Sequence, residues 1–397
     1  MKVSGTFRPE DRAASRYHYV PIDVPAGAVE LRVSLHYDAS AGVLDLGCFE
    51  ASGAFRGYSG GARTSFAINE LAATPGYLPG PLDARQFLVL LGLHRVPGEG
   101  LPYTVTVSTH PSPSVEPSSA GPAPSAAGPA RELPAPPGLR WLAGDLHAHT
   151  VHSDGALTVA SLASLAAASG LDFLAVTDHN TVSHHAELAS LDSGVVLLPG
   201  QELTTDRGHA NVFGDVGWID FRAPADDWLS TVDSGGGLLS VNHPLGGDCA
   251  WLLPMRTRPP LAEVWHSGWW DRTWGAPLAW LLGWNPSAVP VGGSDFHTPD
   301  GPIRLGQPTT WVLSPDRSVA GILDGLRSGH TSISAGPAGP VLVRLEDSVV
   351  ALDADGSLLV DFSGRRRPVR GDRATFPAAP GPHWLEDGRA EILALSA

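Results

Sequence analysis

Leu171-Asp172-Phe173-Leu174-Ala175-Val176-Thr177 is an apolar run that stops at once on Asp178-His179-Asn180. A run of that length and composition reads as a strand buried on both faces, the kind that parallel sheets contain. Upstream, Trp141 to His147 reads as another strand, and Thr158 to Ser169 as an Ala/Leu-rich helix closed by Gly170. Strand, helix, strand is a βαβ unit, and the pattern continues downstream. Strands are expected at 195–198, 209–213, 238–241, 262–265 and 289–292, with helices at 182–191, 225–233, 277–282 and 318–328. This alternation predicts parallel units that build either an open sheet or a barrel.

The flanks follow a different grammar. From Gly5 to His110 short alternating runs such as Val29–Leu35 and Tyr103–Ser108 are separated by turn residues, which predicts an N-terminal β-sandwich over 1–110. Residues 111–138 are Pro, Ala, Ser and Gly with little to bury, and read as a linker. The α/β domain is expected over 139–339, and 340–397 returns to short strands as a C-terminal β-rich region.

Composition sets outer bounds. A chain of 397 residues exceeds one ordinary core, and 43% hydrophobic with 17% charged residues is globular in character. The net charge of −15 repels phosphate backbones, so no nucleic-acid partner is expected. A small anionic substrate remains compatible, because bound divalent cations reverse the local sign. Cys48 and Cys249, the two cysteines, fit neither a disulfide framework nor a thiolate metal site. The N-terminus lacks the apolar stretch of a signal peptide, and no run of eighteen apolar residues occurs. A cytoplasmic protein acting on a small molecule, with no membrane partner, is the expectation.

Ligand-type residues recur where the predicted strands end. His147 and His149 are two apart and share a face if the strand continues through them. Asp154 follows in the next loop, and Asp178-His179 tips the second apolar strand, with Asp178 suited to capping or support. Then come Glu202, the same-face pair His209 and Asn211, His243, and Asp295 with His297. One such residue at a strand end is ordinary, but this series converges on the rim where α/β sheets and barrels place their sites. Imidazoles and carboxylates without thiolate suit zinc, manganese or iron(II), and the number of candidates implies two or three ions.

In their order the motifs DLHAHTVHSDG, AVTDHN, GQELTTDRGHANVFG, VNHP and VGGSDFHT resemble the PHP (polymerase and histidinol phosphatase) superfamily. The later LGQPTTWV and GHTSISAGPAGP resemble its carbaryl hydrolase-like (CehA/McbA-like) branch. The resemblance covers 139–339 and implies a distorted (β/α)7 barrel carrying up to three metal ions. By that resemblance His147, His149, Glu202 and Asp295 hold one ion. Glu202 bridges to a second, completed by His243, and Asp154, His179 and His297 hold a third. Many phosphatases of the superfamily have histidine where this chain has Asn211, and His209 is expected to replace it.

The resemblance implies hydrolysis of a small phosphate ester, with His243, His209 and Asp295 as the catalytic candidates. Arg207, Arg272 and Arg304 are candidates for gripping phosphate, because a guanidinium pairs two of its oxygens. Carbamate or carboxylic-ester hydrolysis is the alternative. It draws support from Trp251, Trp265, Trp269, Trp270, Trp274, Trp280 and Trp284, which read either as loop packing or as an apolar substrate wall. A non-enzymatic binding module would retain every ligand without using it, and a polymerase-associated proofreading role conflicts with the charge.

Overall fold

The computed structural model describes residues 1–82, 86–117, 131–269 and 275–397. The chain divides into two compact units. The first comprises Met1–Ala120 with two later insertions, Val151–Asp154 and Asp178–Ala186. The second comprises Gly121–Thr150, Gly155–Thr177 and Glu187–Ala397.

In the first unit two four-stranded antiparallel sheets share one apolar core. One runs Lys2–Phe7, Leu101–His110, Glu30–Tyr37, Ser65–Asn69; the other runs Tyr17–Asp23, Gln86–Arg95, Val43–Glu50, Phe55–Gly60. The alternation read in the sequence is the alternation of burial. Leu31, Val33 and Leu35 face inward from one sheet and meet Leu44, Leu46, Val89 and Leu91 from the other. Glu30 is fully buried beside this core. Its carboxylate accepts hydrogen bonds from Ser114 N (2.7 Å), Ser114 Oγ (2.7 Å) and Val115 N (3.2 Å), and from Arg32 Nε at 2.6 Å. Burial opposes its ionisation, but these donors outweigh burial and hold its pKa down at about 2. The later insertions are tied in by side-chain bonds to carbonyls: Arg63 donates to those of Val151 and Ser153, and Thr181 Oγ1 to Gly76 O.

The strands of the second unit that surround the ligand residues are labelled in chain order: β1 Arg140–Asp145, β2 Phe173–Val176, β3 Val196–Thr205, β4 Gly208–Phe213, β5 Leu238–Val241, β6 Leu261–His266 and β7 Val289–Gly293. They are consecutive neighbours in one sheet, which Thr309–Ser314 continues beyond β1. The helix after β1, Val159–Ala168, begins where Thr158 accepts a hydrogen bond from Ser161 N. Its alanines and leucines bury against β2 and its neighbours. Further helices run Ala225–Ser234, Ala276–Trp284 and Val319–Arg327, within a few residues of the expected bounds.

Parallel pairing throughout is not what the structure holds. β1/β2, β2/β3, β5/β6 and β6/β7 are parallel, whereas β4 is antiparallel to both neighbours, and Thr309–Ser314 is antiparallel to β1. The cause lies in chain length. Only Asp206 and Arg207 separate the paired residues Thr205 and Gly208, and two residues can close only an antiparallel hairpin. Gly208 sits at φ +128°, in the region that a side chain disfavours. The end of β7 returns to β1, where Asp295 N donates to His147 O at 2.8 Å.

Segment 340–397 extends the same unit. Ile392–Ser396 pairs with Thr331–Ser334 in the large sheet, and Val341–Leu345, Ser348–Leu352 and Arg373–Pro377 form a separate three-stranded sheet. No helix among the described residues is long and apolar enough to cross a membrane.

Candidate metal centre

β1 ends on Asp145, which is buried and takes three backbone N–H bonds: Oδ1 from His147 (3.1 Å) and Ser294 (3.0 Å), Oδ2 from Gly306 (2.7 Å). This carboxylate ties the His147 turn to the loop that carries Asp295, and burial pushes its pKa up. Two glycines make the close approach possible. A Cβ at Gly144 would sit 2.2 Å from the Phe173 ring, and one at Gly293 only 2.3 Å from Glu263 Oε1 and 2.4 Å from His147 Cβ.

The side chains meet around two carboxylates. His147 Nε2 lies 3.2 Å from Glu202 Oε1 and 3.2 Å from Asp295 Oδ1. His149 Nε2 is 2.9 Å from the same Asp295 oxygen and 3.8 Å from Glu202 Oε2. On the other side of Glu202, His209 Nδ1 stands 3.2 Å and His243 Nε2 3.5 Å from Oε1. Asn242 Nδ2 donates to that oxygen at 2.8 Å and fixes the carboxylate. His297 stacks on His149 with ring centroids 4.2 Å apart and donates from Nδ1 to Asp295 O at 2.8 Å. Glu202 thus lies between one pair of histidines and another. His209, and not Asn211, reaches it; Asn211 turns its amide to Leu146 O at 3.1 Å.

His243 (φ +25°) and Asp295 (φ +55°) both hold the left-handed backbone region, which costs non-glycine residues of the order of 1 kcal/mol and clusters at functional sites. Charge is concentrated in a nearly dry volume, since His147, His149 and Glu202 are fully buried. Burial disfavours a charged His147, yet Asp295, Glu202 and Glu263 outweigh it and push its pKa well above the ordinary value. For His243 burial is likewise outweighed, by Cys249, Glu202 and Glu263, and its pKa rises to about 10. Burial would raise Asp295, but the surrounding histidines hold it well below the usual carboxylate range.

These residues fit a divalent cation. His147 Nε2 is buried and makes no hydrogen bond, although two carboxylate oxygens stand 3.2 Å away. Ligand-type atoms of His147, His149 and Glu202 lie within 4.8 Å of each other, as do those of Glu202, His209 and His243. Imidazole and carboxylate without thiolate are donors for zinc, manganese or iron(II).

Two residues here went unmarked in the sequence reading. Glu263, on β6, places Oε1 3.1 Å from His147 Nδ1 and accepts from His243 N at 3.0 Å. His266, at the end of β6, places Nε2 3.2 Å from Asp295 Oδ2. Their signal was an acidic residue inside the otherwise apolar Leu261–Trp265.

Asp154 and His179 belong to the first unit, 3.5 Å apart. Beside them Asp178 accepts from Ser153 Oγ at 2.6 Å and faces His184 Nδ1 at 3.3 Å, so its carboxylate is engaged by side chains. Arg207 bonds to Leu252 O at 2.9 Å, and Arg304 to the carbonyls of Pro299 (3.3 Å) and Gly301 (3.1 Å). Arg272, Trp270 and Trp274 lie outside the described residues. Among the described tryptophans, Trp265 packs edge-on to Trp269, Trp280 stacks on Trp284, and Trp251 is buried where a Cβ at Gly208 would strike it.

No family model matches the chain. A stretch of 64 residues is 39% identical to a 5'-3' exoribonuclease of Haemophilus influenzae, covering 16% of this chain and 23% of that protein. The match therefore spans less than a quarter of the relative's length. Among solved structures, a two-domain protein of Bacteroides vulgatus containing a predicted PHP-like metal-dependent phosphoesterase aligns at 18% identity with a TM-score of 0.40, over 68% of this chain and 91% of that one. A putative metal-dependent phosphoesterase of Bifidobacterium adolescentis aligns at 19% and 0.31, over 41% and 91%. An amidohydrolase of Chromobacterium violaceum with bound sulfate aligns at 18% and 0.32, over 49% and 98%. At these scores the structural likenesses carry no argument about activity.

Proposed function

We propose that the chain is a metal-dependent hydrolase of small phosphate esters, built on a distorted PHP-type barrel preceded by a β-sandwich. The observation that carries the reading is the meeting of His147, His149, His209 and His243 on Glu202, with Asp295 closing the cluster. In this reading His147, His149, Glu202 and Asp295 hold one ion, and Glu202, His209 and His243 hold a second. Such a pair of ions supplies a water activated toward hydroxide and neutralises charge on the substrate's oxygens.

The chain's own residues do the rest. Asn242 keeps Glu202 oriented between the two histidine pairs. Glu263 Oε1 accepts from His147 Nδ1 at 3.1 Å, so Nε2 is the nitrogen that a cation would engage. His209 and His243 each turn one ring nitrogen to Glu202 Oε1 and would complete the second ion's ligand set. Burial excludes bulk water and strengthens every one of these interactions.

A carbamate or carboxylic ester is the second reading, favoured by exposed Leu245 and Leu252 near buried Trp251, just beyond His243. Hydrolysis of p-nitrophenyl phosphate, with none of 1-naphthyl acetate or an N-methylcarbamate, is the expected result; the opposite pattern replaces the first reading with the second. Asp295→Ala and His147→Ala should each abolish the activity. Fewer than two tightly bound ions per purified chain would remove both readings.

A further inference from the structure

Resting on the metal-centre reading above, we propose that His266 is not a ligand but a positioning residue, which holds Asp295 so that a single oxygen faces the ions. His266 is close enough to ligate: its ligand-type nitrogen lies within 4.8 Å of those of His147 and His243 and of Glu263. Proton bookkeeping on the rings separates them.

A neutral imidazole carries one N–H, and the partner of one nitrogen dictates the role of the other. Gly268 N–H donates to His266 Nδ1 at 2.9 Å, so Nδ1 holds the lone pair and the proton sits on Nε2. That Nε2–H points at Asp295 Oδ2, 3.2 Å away. With its Nδ1 lone pair taken up by the Gly268 N–H, a neutral His266 has no second lone pair to offer a cation from Nε2. His147 has the reverse arrangement, because its Nδ1 faces Glu263 Oε1 at 3.1 Å, an acceptor that demands N–H there. His297 matches His147: its Nδ1 donates to the Asp295 carbonyl at 2.8 Å. In His147 and His297 it is Nδ1 whose N–H meets an acceptor, whereas in His266 Nδ1 is itself the acceptor.

The consequence falls on Asp295. Its Oδ1 faces His149 (2.9 Å) and His147 (3.2 Å), and its Oδ2 is covered by His266. The backbone at φ +55° does not favour this pose by itself, so the side-chain ties must hold it. Asp295 then offers one oxygen to the ions.

Cobalt(II) titration of metal-free full-length protein tests the assignment, read by absorption and by metal content at saturation. His266→Ala should bind as many ions as wild type, with affinity lowered about 10–100-fold, the usual effect of losing a residue behind a ligand. His266→Gln keeps an N–H within reach of Asp295 and should recover affinity to within about threefold, with an unchanged cobalt spectrum. Circular dichroism of the metal-free variants checks folding, and His266→Gln alone decides if His266→Ala does not fold. One ion fewer in either variant, or an altered cobalt spectrum in His266→Gln, makes His266 a ligand and overturns the proposal. Wild-type affinity in His266→Ala overturns it too. A wild-type chain that binds no cobalt removes the metal-centre reading together with this one.

Discussion

Replacing Gly293 with alanine should damage the centre without altering a single ligand. The added Cβ would sit 2.3 Å from Glu263 Oε1 and 2.4 Å from His147 Cβ. Carbon needs about 3.5 Å, so something must move by about 1 Å. The Glu263 carboxylate can swing, at the expense of its bonds to His147 Nδ1 and His243 N. His147 Cβ cannot swing, because it is one bond from a backbone fixed by Asp145 and by Asp295 N. Overpacking of this sort costs about 1–3 kcal/mol. At about 2–4 °C per kcal/mol the melting temperature should fall by roughly 2–12 °C. The ion affinity should fall about 10–100-fold, because the carboxylate behind His147 is displaced. Gly283→Ala is the control: it lies in the Ala276–Trp284 helix with nothing within 4 Å of the added carbon, and should be neutral or stabilising by up to about 1 kcal/mol. Scanning calorimetry and zinc titration of both variants give the answer. Gly293→Ala with wild-type melting and wild-type zinc affinity would refute the packing argument, as would equal losses in the two variants.

Further outcomes follow from the same contacts. Asp145→Asn turns an amide N–H₂ toward a backbone N–H at one of three bonds, and should cost about 1–3 kcal/mol in urea denaturation. Glu30 has a folded pKa lowered from 4.5 to about 2, so its stabilisation is complete above pH 4.5 and drains away as the pH falls toward 2. Wild type should therefore exceed Glu30→Gln in melting temperature at pH 6, with the gap closing between pH 4.5 and 2. Chelation should lower the melting temperature and added zinc should restore it; ligand at a hundredfold its Kd contributes about 2.7 kcal/mol.

Much of the centre could be read in the sequence because its residues sit at strand ends, where polar side chains interrupt apolar runs. His147, His149, Glu202, His209, His243 and Asp295 all carry that mark, and the structure brings them within a few ångströms of each other. Glu263 lacks it; His266 carries it, closing β6, but stands outside the motifs. Glu263 is flanked by Ala262 and Val264 inside β6, and only the closed fold reveals that it faces His147, which follows β1. The pairing sense of β4 was also hidden, because the strand-helix rhythm around it suggested parallel units. The short Thr205–Gly208 turn was the decisive clue, and it is a matter of spacing rather than residue type. Of the arginine candidates, Arg207 donates to Leu252 O and Arg304 to the carbonyls of Pro299 and Gly301.

The tight turn between β3 and β4 also bears on how the centre assembles. Glu202 and His209 are 7 residues apart, whereas His149 and Asp295 are separated by 146. Chain-closure entropy makes the distant encounter dearer by about 3 kcal/mol. A newly made chain can therefore form the hairpin early, with a carboxylate and an imidazole already side by side, and must wait for β7 before the other half exists. An ion arriving during folding would first meet this half-built cradle, and its capture by Asp295 would be the event that locks the last strand home.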